Sequence, residues 1–168
     1  MQEHKEVTDY LSLVTQHLIA DGFKITEHIT YKNQSIRCVA KRTRFQPEFG
    51  GFAEFFFIFA EFSTLNRASL REFSSKCFRY AKRYRSVPLP RGLMEGVFCF
   101  PVALCNTTAN AIAESIHNDM PPKHWASIEM PVIYNLKTQR LYYFEKTPLW
   151  FSFYWDYFRA LIVTMLSP

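Results

Sequence analysis

The sequence has few of the residues from which common catalytic and phosphate-binding motifs are built. Only five of its 168 residues are glycines, and none belongs to a glycine-rich loop that could cradle a phosphate. No serine stands in a G-x-S-x-G pattern, in which a strained turn exposes the nucleophile. The sequence therefore predicts neither a glycine-loop nucleotide site nor a hydrolase built on such a turn.

Metal-ligating residues are also few and poorly spaced. The chain has four cysteines, none in a C-x-x-C pair, and all lie in apolar-rich segments: Cys38, Cys77, Cys99 and Cys105. His117 and His124 are separated by two prolines, and no spacing matches a structural zinc site. We therefore predict no metal site, and we expect the thiols to act as small core hydrophobes in a reducing compartment.

No part of the chain has the roughly 18 uncharged apolar residues that a membrane span needs. The longest candidate, residues 149–166, is interrupted by Asp156 and Arg159. The first six residues are polar, unlike the start of a signal peptide. We therefore expect a soluble, cytoplasmic protein without a transmembrane segment.

The residues that are abundant are hydrophobic and aromatic. The composition is 48% hydrophobic, and phenylalanine alone contributes 17 residues, so large rings should dominate the core. A chain of this length fits one domain. We expect a single domain over residues 1–168, with its core at about 5–146 and an aromatic C-terminal helix at about 150–166.

Periodicity and turn residues predict ten elements. In order these are a helix at Lys5–Ala20, strands at Phe23–Tyr31, Ser35–Arg44 and Phe52–Phe62, a helix at about Asn66–Arg85, a strand at Gly96–Cys105, a helix from an Asn106 cap to about Asn118, a hairpin of Ile128–Leu136 with Arg140–Lys146, and the C-terminal helix. The third strand is apolar on both faces, so it should be central. Pro101 predicts that the fourth strand is at an edge, bulged or short. The order indicates an α/β fold with one mixed sheet and helices on both faces.

The helix after the third strand combines an apolar stripe with many cations. Residues 32–91 contain 13 Lys and Arg against 4 Asp and Glu, a balance of +9, whereas the remainder has 7 against 11. Such a face suits an anionic partner, and the phosphate-binding candidates are Arg71, Arg79, Lys82 and Arg83. A solvated face with ordinary ion pairing is the alternative. Tyr80 and Tyr84 fall on the apolar stripe, so we expect them in the core and not stacked on bases.

The C-terminal helix has an unusually wide apolar arc. Its apolar side chains cover about 200° at 100° per residue, whereas one packing surface needs closer to 100°. A homodimer is one way to cover the rest, and the candidate contacts are Trp150, Phe153, Tyr157 and Leu161. Membrane-surface binding is disfavoured because the polar side of this helix has only one Lys or Arg, Arg159.

The predicted order resembles the restriction-endonuclease-like fold of the PD-(D/E)xK nuclease superfamily, over about residues 5–118. In that family the third core strand has an acidic residue and, two positions later, a lysine, and a further Asp completes a magnesium site. Glu61 matches the acid, but Ser63 stands in the lysine position, and no Asp occurs between Asp21 and Asp119. The resemblance implies a divergent magnesium-dependent nuclease that uses Glu61 with Glu48 or Glu54, and with Lys41 in place of the lysine.

The incomplete motif favours a non-catalytic role in binding or assembly. A lone carboxylate after an apolar strand is costly to bury, so Glu61 should pair with Arg67 or Arg71, or cap the following helix. Glu54 should lie near the surface at the start of its strand. The leading expectation is therefore a binding or assembly protein, and the nuclease is the alternative.

Overall fold

The computed structural model describes the chain apart from residues 1, 48–49, 87–94, 109 and 149–151, and apart from the side chains of 2–4, 95, 123 and 152–153. Within these limits the helices are α1 (Gln2–Ala20), α2 (Arg67–Arg83), α3 (Asn110–Asn118) and α4 (Ser152–Leu166). The strands are β1 (Lys24–Tyr31), β2 (Gln34–Gln46), β3 (Gly51–Glu61), β4 (Glu95–Cys105), β5 (Lys123–His124), β6 (Ser127–Glu129), β7 (Val132–Asn135) and β8 (Arg140–Tyr142).

All eight strands belong to one mixed sheet. The first three form an antiparallel meander, and β4 then pairs parallel to β3 along its whole length. On its other side β4 pairs parallel with β6 and then with β7, which lie one after the other along it. The short strands β5 and β8 complete this side as antiparallel partners of β6 and β7.

The helices cover both faces of the sheet, as the sequence predicts. Phe55, Phe57 and Phe59 of β3 pack in one cluster with buried residues of α1 and α4. Phe56 and Ile58 pack on the opposite face with α2 and α3. All five side chains are fully buried, so β3 is the central strand that its two apolar faces indicated. The α/β class with one mixed sheet is confirmed.

The expectation for Pro101 was wrong, because β4 is a long central strand. Its backbone can accommodate a proline because the partner on one side is interrupted there: β6 ends at Glu129 and β7 begins at Val132. The carbonyls of Cys99 and Cys105 accept hydrogen bonds on this side. The backbone N–H and C=O groups of every second residue in a strand point to the same side. The backbone of Pro101 therefore also points to this side, and its missing N–H falls at the gap between β6 and β7.

Two other expected elements differ from the structure. Asn106 does not cap the third helix, because α3 begins at Asn110. The predicted strand over residues 128–136 is divided into β6 and β7, and its hairpin with residues 140–146 is limited to β7 and β8. The other helices and strands agree with prediction to within a few residues at each end.

The aromatic arc of α4 is largely buried inside the chain. The buried residues of this helix are Trp155, Phe158, Leu161, Ile162, Met165 and Leu166. The arc is wide because α4 contacts both the sheet and α1, where the Tyr10 hydroxyl donates to the Leu166 carbonyl at 2.9 Å. Of the four proposed dimer contacts, Trp150 and the Phe153 side chain lie outside the described residues.

All four cysteines are free and buried, as expected. Burial raises the pKa of the Cys38 thiol to about 12 and also raises the pKa values of the other three thiols. The thiolate is the reactive form, so these residues are packing groups at neutral pH.

Candidate functional site

Two of the residues implied by the nuclease resemblance, Lys41 and Glu54, lie together in the structure. Glu54 is fully buried on β3, and the expectation that it lies near the surface was wrong. Its carboxylate is 3.3 Å from the Lys41 ammonium on β2, and it accepts a hydrogen bond of 2.6 Å from the backbone N–H of Ser86. Lys41 also donates to the carbonyl of Tyr84. The pair therefore connects the sheet to the C-terminal end of α2.

Glu61 has a different partner from the one expected. It pairs with Arg37 on β2, at 2.5 Å from Nη2 and 3.1 Å from Nε, and not with Arg67 or Arg71. The expectation failed because β2 lies antiparallel beside β3 and brings Arg37 alongside the end of that strand. Both side chains of this pair are about one quarter exposed.

The acidic candidates do not converge on one site. Glu54 contacts the end of α2, whereas Arg37, the partner of Glu61, lines a cavity with residues of α1 on the other face of the sheet. This placement agrees with the separation of Glu54 and Glu61 by seven positions along β3, because an odd separation puts two side chains on opposite faces of a strand. Glu48 lies outside the described residues. Among the residues that the structure describes, no three His, Cys, Asp or Glu side chains are grouped so that they could hold a metal ion.

The second candidate region is the outer face of α2. The helix begins with a capping box, in which Asn66 Oδ1 accepts from the Ser69 N–H at 2.8 Å and Ser69 Oγ accepts from the Asn66 N–H at 3.0 Å. The side turned to the sheet and to α3 consists of Leu70, Phe73, Ser74, Cys77, Phe78, Tyr80 and Ala81. The cap and the buried face together fix which residues α2 presents to solvent.

Tyr84 was expected in this core and is instead 48% exposed. Tyr84 is the C-cap residue, with φ −104° and ψ 22°, so it lies after the last helical residue and does not continue the apolar stripe of α2. Phe78, which the sequence places among the cations, is buried. The buried face is wider than the predicted stripe because α2 contacts β6 as well as β4.

Ion pairing divides the cations of residues 32–91 into two groups. Most cations on the sheet have carboxylate partners: Arg37 with Glu61, Lys41 with Glu54 and Arg42 with Asp21. On α2 the cations at the edges of the exposed face are also paired, Arg67 with Asp119 and Lys76 with Glu72. The hydrogen bond from Lys76 lowers the pKa of Glu72, so this carboxylate stays ionised and paired with Lys76.

The remaining cations of α2 form a surface that we call the basic surface: Arg71, Arg79, Lys82 and Arg83. None of the four forms an ion pair with a carboxylate that the structure describes. They lie within an arc of about 120° at 100° per residue, and Arg71 and Arg83 are about 18 Å apart along the helix axis. All are exposed except Lys82, which is partly covered and lies 4.6 Å from the centre of the Phe78 ring.

Two depressions adjoin the basic surface. Arg71 and Arg79 line an open one of about 780 Å³ on the outside of α2, together with Ser75 and the carboxylate of Glu72. A second, of about 440 Å³, lies between α2, α3 and the segment 119–131. Arg67 and Arg71 are at the border of both. Cationic side chains therefore face solvent over a continuous part of the molecule.

The second depression contains a hydrogen-bonded cluster that the sequence did not reveal. Glu129 of β6 is buried and accepts from Ser74 Oγ at 2.6 Å, and its other oxygen is 2.8 Å from His124 Nε2. In a nucleophilic triad the histidine accepts the serine proton, whereas here the carboxylate separates the two. Ser74 is therefore held as a donor to Glu129 and not activated, and the cluster ties β5 and β6 to α2.

Trp125 is the residue of this region that sequence reasoning missed. It stands in the two-residue turn between β5 and β6, and 80% of its surface is exposed. Its position in the sequence could have indicated that it is exposed. Trp125 follows Pro121, Pro122, Lys123 and His124 and lies outside any periodic apolar segment.

Comparison with protein-family models, curated proteins and solved structures gave no significant match to this chain. The resemblance to the restriction-endonuclease-like fold therefore stays a prediction. Of the helices that the structure describes, none combines the length and apolar character that crossing a membrane requires.

Proposed function

We propose that this protein is a non-catalytic binding protein that holds the phosphate backbone of a nucleic acid on the basic surface of α2. Arg71, Arg79, Lys82 and Arg83 would each approach a phosphate oxygen. Phosphate contacts by Lys and Arg supply most of the affinity in sequence-independent binding, since they release counterions from the nucleic acid.

The observation that carries this proposal is that none of these four cations forms an ion pair with a described carboxylate, although the charge of Arg79 helps to lower the pKa of Glu72. On the same helix Arg67 and Lys76 do form ion pairs, with Asp119 and Glu72. Arg71, Arg79 and Arg83 instead stay exposed on one side of a helix whose opposite side is anchored in the core. The four cations span about 18 Å along the helix axis, which is long enough to follow several phosphates.

The experiment is a salt titration of binding to a labelled duplex and a labelled single strand. The triple variant Arg71→Glu, Arg79→Glu, Arg83→Glu should lose most of its affinity at low salt. The slope of log K against log salt should fall by about 2–3, since each phosphate contact contributes about 0.9 on a duplex. The matched control is Lys137→Glu, Arg140→Glu, Lys146→Glu, which changes the net charge equally at exposed positions near β8.

Equal weakening of both variants would mean that only net charge matters, and the basic surface would not be the site. No binding at low ionic strength would remove nucleic acid as the ligand. Magnesium-dependent cleavage that Glu61→Gln abolishes would favour the alternative nuclease, with magnesium as its cofactor.

Two further expectations belong to the same proposal. Four free thiols suit the reducing cytoplasm, where disulfides are rare.

Self-association through α4 stays a prediction. Leu161 is only 8% exposed within one chain, and Tyr157 is partly buried with its hydroxyl 3.3 Å from Gln46 Nε2. Of the predicted contacts whose side chains the structure describes, Leu161 would therefore offer little surface to a second chain, and Tyr157 only part of its side chain.

A further inference from the structure

We infer that Trp125 is a stacking platform for an unpaired nucleotide base, so that the ligand of the basic surface is a single-stranded nucleic acid and not a duplex. The inference rests on the proposed function and adds the class of nucleic acid. It is carried by the exposure of Trp125, by the way its hairpin is held, and by the closeness of its turn to Lys82 of the basic surface.

The exposure of Trp125 is unusual for its residue type. Tryptophan buries more surface than most residues, and in this chain Trp155 is fully buried. Trp125 is 80% exposed, the largest fraction among the exposed large hydrophobic residues of the described part of the chain. A large aromatic side chain in water forgoes its hydrophobic stabilisation, and a base that stacked on the ring would recover part of it.

The hairpin that presents Trp125 is fixed to the body of the protein. Behind the turn, Glu129 connects Ser74 of α2 to His124 of β5, the residue before Trp125. The His124 ring stacks on Phe78 with 3.9 Å between centroids. The backbone of the turn is therefore held in place, so that mainly the Trp125 side chain has to become ordered when a base stacks on it.

These same contacts bring the turn that carries Trp125 close to Lys82 of the basic surface. Lys82 lies 4.6 Å from the Phe78 ring, Phe78 stacks on His124, and neighbouring Cα atoms are about 3.8 Å apart. His124 also lines the depression that Arg71 borders. Proteins that bind single strands combine a cationic track for the backbone with aromatic side chains for the bases. Bases in a duplex are stacked inside the helix and do not reach such a ring.

The test compares Trp125→Ala and Trp125→Phe with the unmodified protein, using a labelled oligothymidine strand and a duplex of equal length. We expect Trp125→Ala to weaken single-strand binding about tenfold or more, the usual effect of removing one stacking ring. Duplex binding should change less than about twofold, because only phosphate contacts act there. Trp125→Phe should retain most of the affinity, since the ring is kept. Unfolding curves should be unchanged, because the side chain is exposed.

The outcomes distinguish this inference from the proposal on which it rests. If neither oligonucleotide binds, both fail. If both bind and the α2 triple variant abolishes binding, while Trp125→Ala has no effect on the single strand, then the basic surface is the site and the stacking role is wrong. An equal loss on both oligonucleotides would also overturn it, because it would show that Trp125 does not select unpaired bases.

Discussion

At the scale of single residues, Glu54 and Glu61 show how position on one strand decides the role of a carboxylate. Both lie on β3, on opposite faces, and both have a cation from β2 as partner. Glu54 is fully buried and also binds a backbone N–H, whereas Glu61 is about one quarter exposed. The free-energy cost of losing a charge partner rises steeply with burial, so the two pairs should contribute unequally to stability.

We therefore predict different effects of the same substitution at these two positions. Glu54→Gln leaves the Lys41 ammonium, which is 23% exposed, without its carboxylate, and should lower the free energy of unfolding by about 3 kcal/mol. Glu61→Gln is the matched control and should cost about 0.5 kcal/mol, as part-exposed pairs do. Urea denaturation of both variants checks this. Equal losses would show that burial of Glu54 does not set the strength of its pair.

At the scale of elements, α2 has a buried side and an exposed side, and hydrogen bonds fix both of its ends. Its buried side anchors the helix to β3 and β4, and its exposed side presents the basic surface. The first turn has no acidic residue, so the N-terminus depends on the Asn66–Ser69 capping box for its exposed N–H groups. At the other end, the Tyr84 N–H donates the last helical hydrogen bond to the Tyr80 carbonyl, and the Lys41 ammonium donates to the Tyr84 carbonyl.

Asn66→Ala should accordingly destabilise the protein by about 1 kcal/mol, because the Ser69 N–H loses its acceptor. Asn118→Ala, at an exposed position in the last turn of α3, provides a control and should change the free energy by less than about 0.5 kcal/mol. Thermal unfolding measures both. If Asn66→Ala were as mild as its control, the cap would not stabilise α2.

At the scale of the whole molecule, the width of the apolar arc on α4 bears on how many chains assemble. The argument for a homodimer was that the arc of α4 is too wide for one contact. The structure supplies two contacts within one chain, since α4 packs against both the sheet and α1. Val163, at 42%, is the large apolar side chain most exposed on the part of α4 whose side chains the structure describes.

The homodimer prediction expects sedimentation equilibrium to report a mass near twice the 19.9 kDa of one chain at micromolar concentrations. Repeating the measurement on Trp150→Ala and on Val163→Ala would then distinguish the predicted contacts near the start of α4 from its outer face. A monomer at all concentrations would contradict the homodimer prediction.

Local patterns in the sequence determined most of the helices and strands and the class of the fold. The two apolar faces of β3 and the 3–4 spacing of Leu70, Phe73 and Cys77 predicted their burial correctly, because side-chain periodicity follows from backbone geometry alone. The first helix ends at Ala20 as predicted, and Gly22, with φ 85°, follows it in the left-handed conformation that glycine adopts most easily. Such features need only neighbouring residues to define them.

Only the tertiary structure decided which charges meet. Arg37 and Glu61 are 24 residues apart, and strand pairing, which no local pattern encodes, brings them together. The same holds for the gap that accommodates Pro101 and for the Ser74–Glu129–His124 cluster beneath Trp125. Contacts between distant residues depend on register and layer packing, so the partners of Glu54 and Glu61, and the solvent-facing position of Trp125, could be read only from the folded chain.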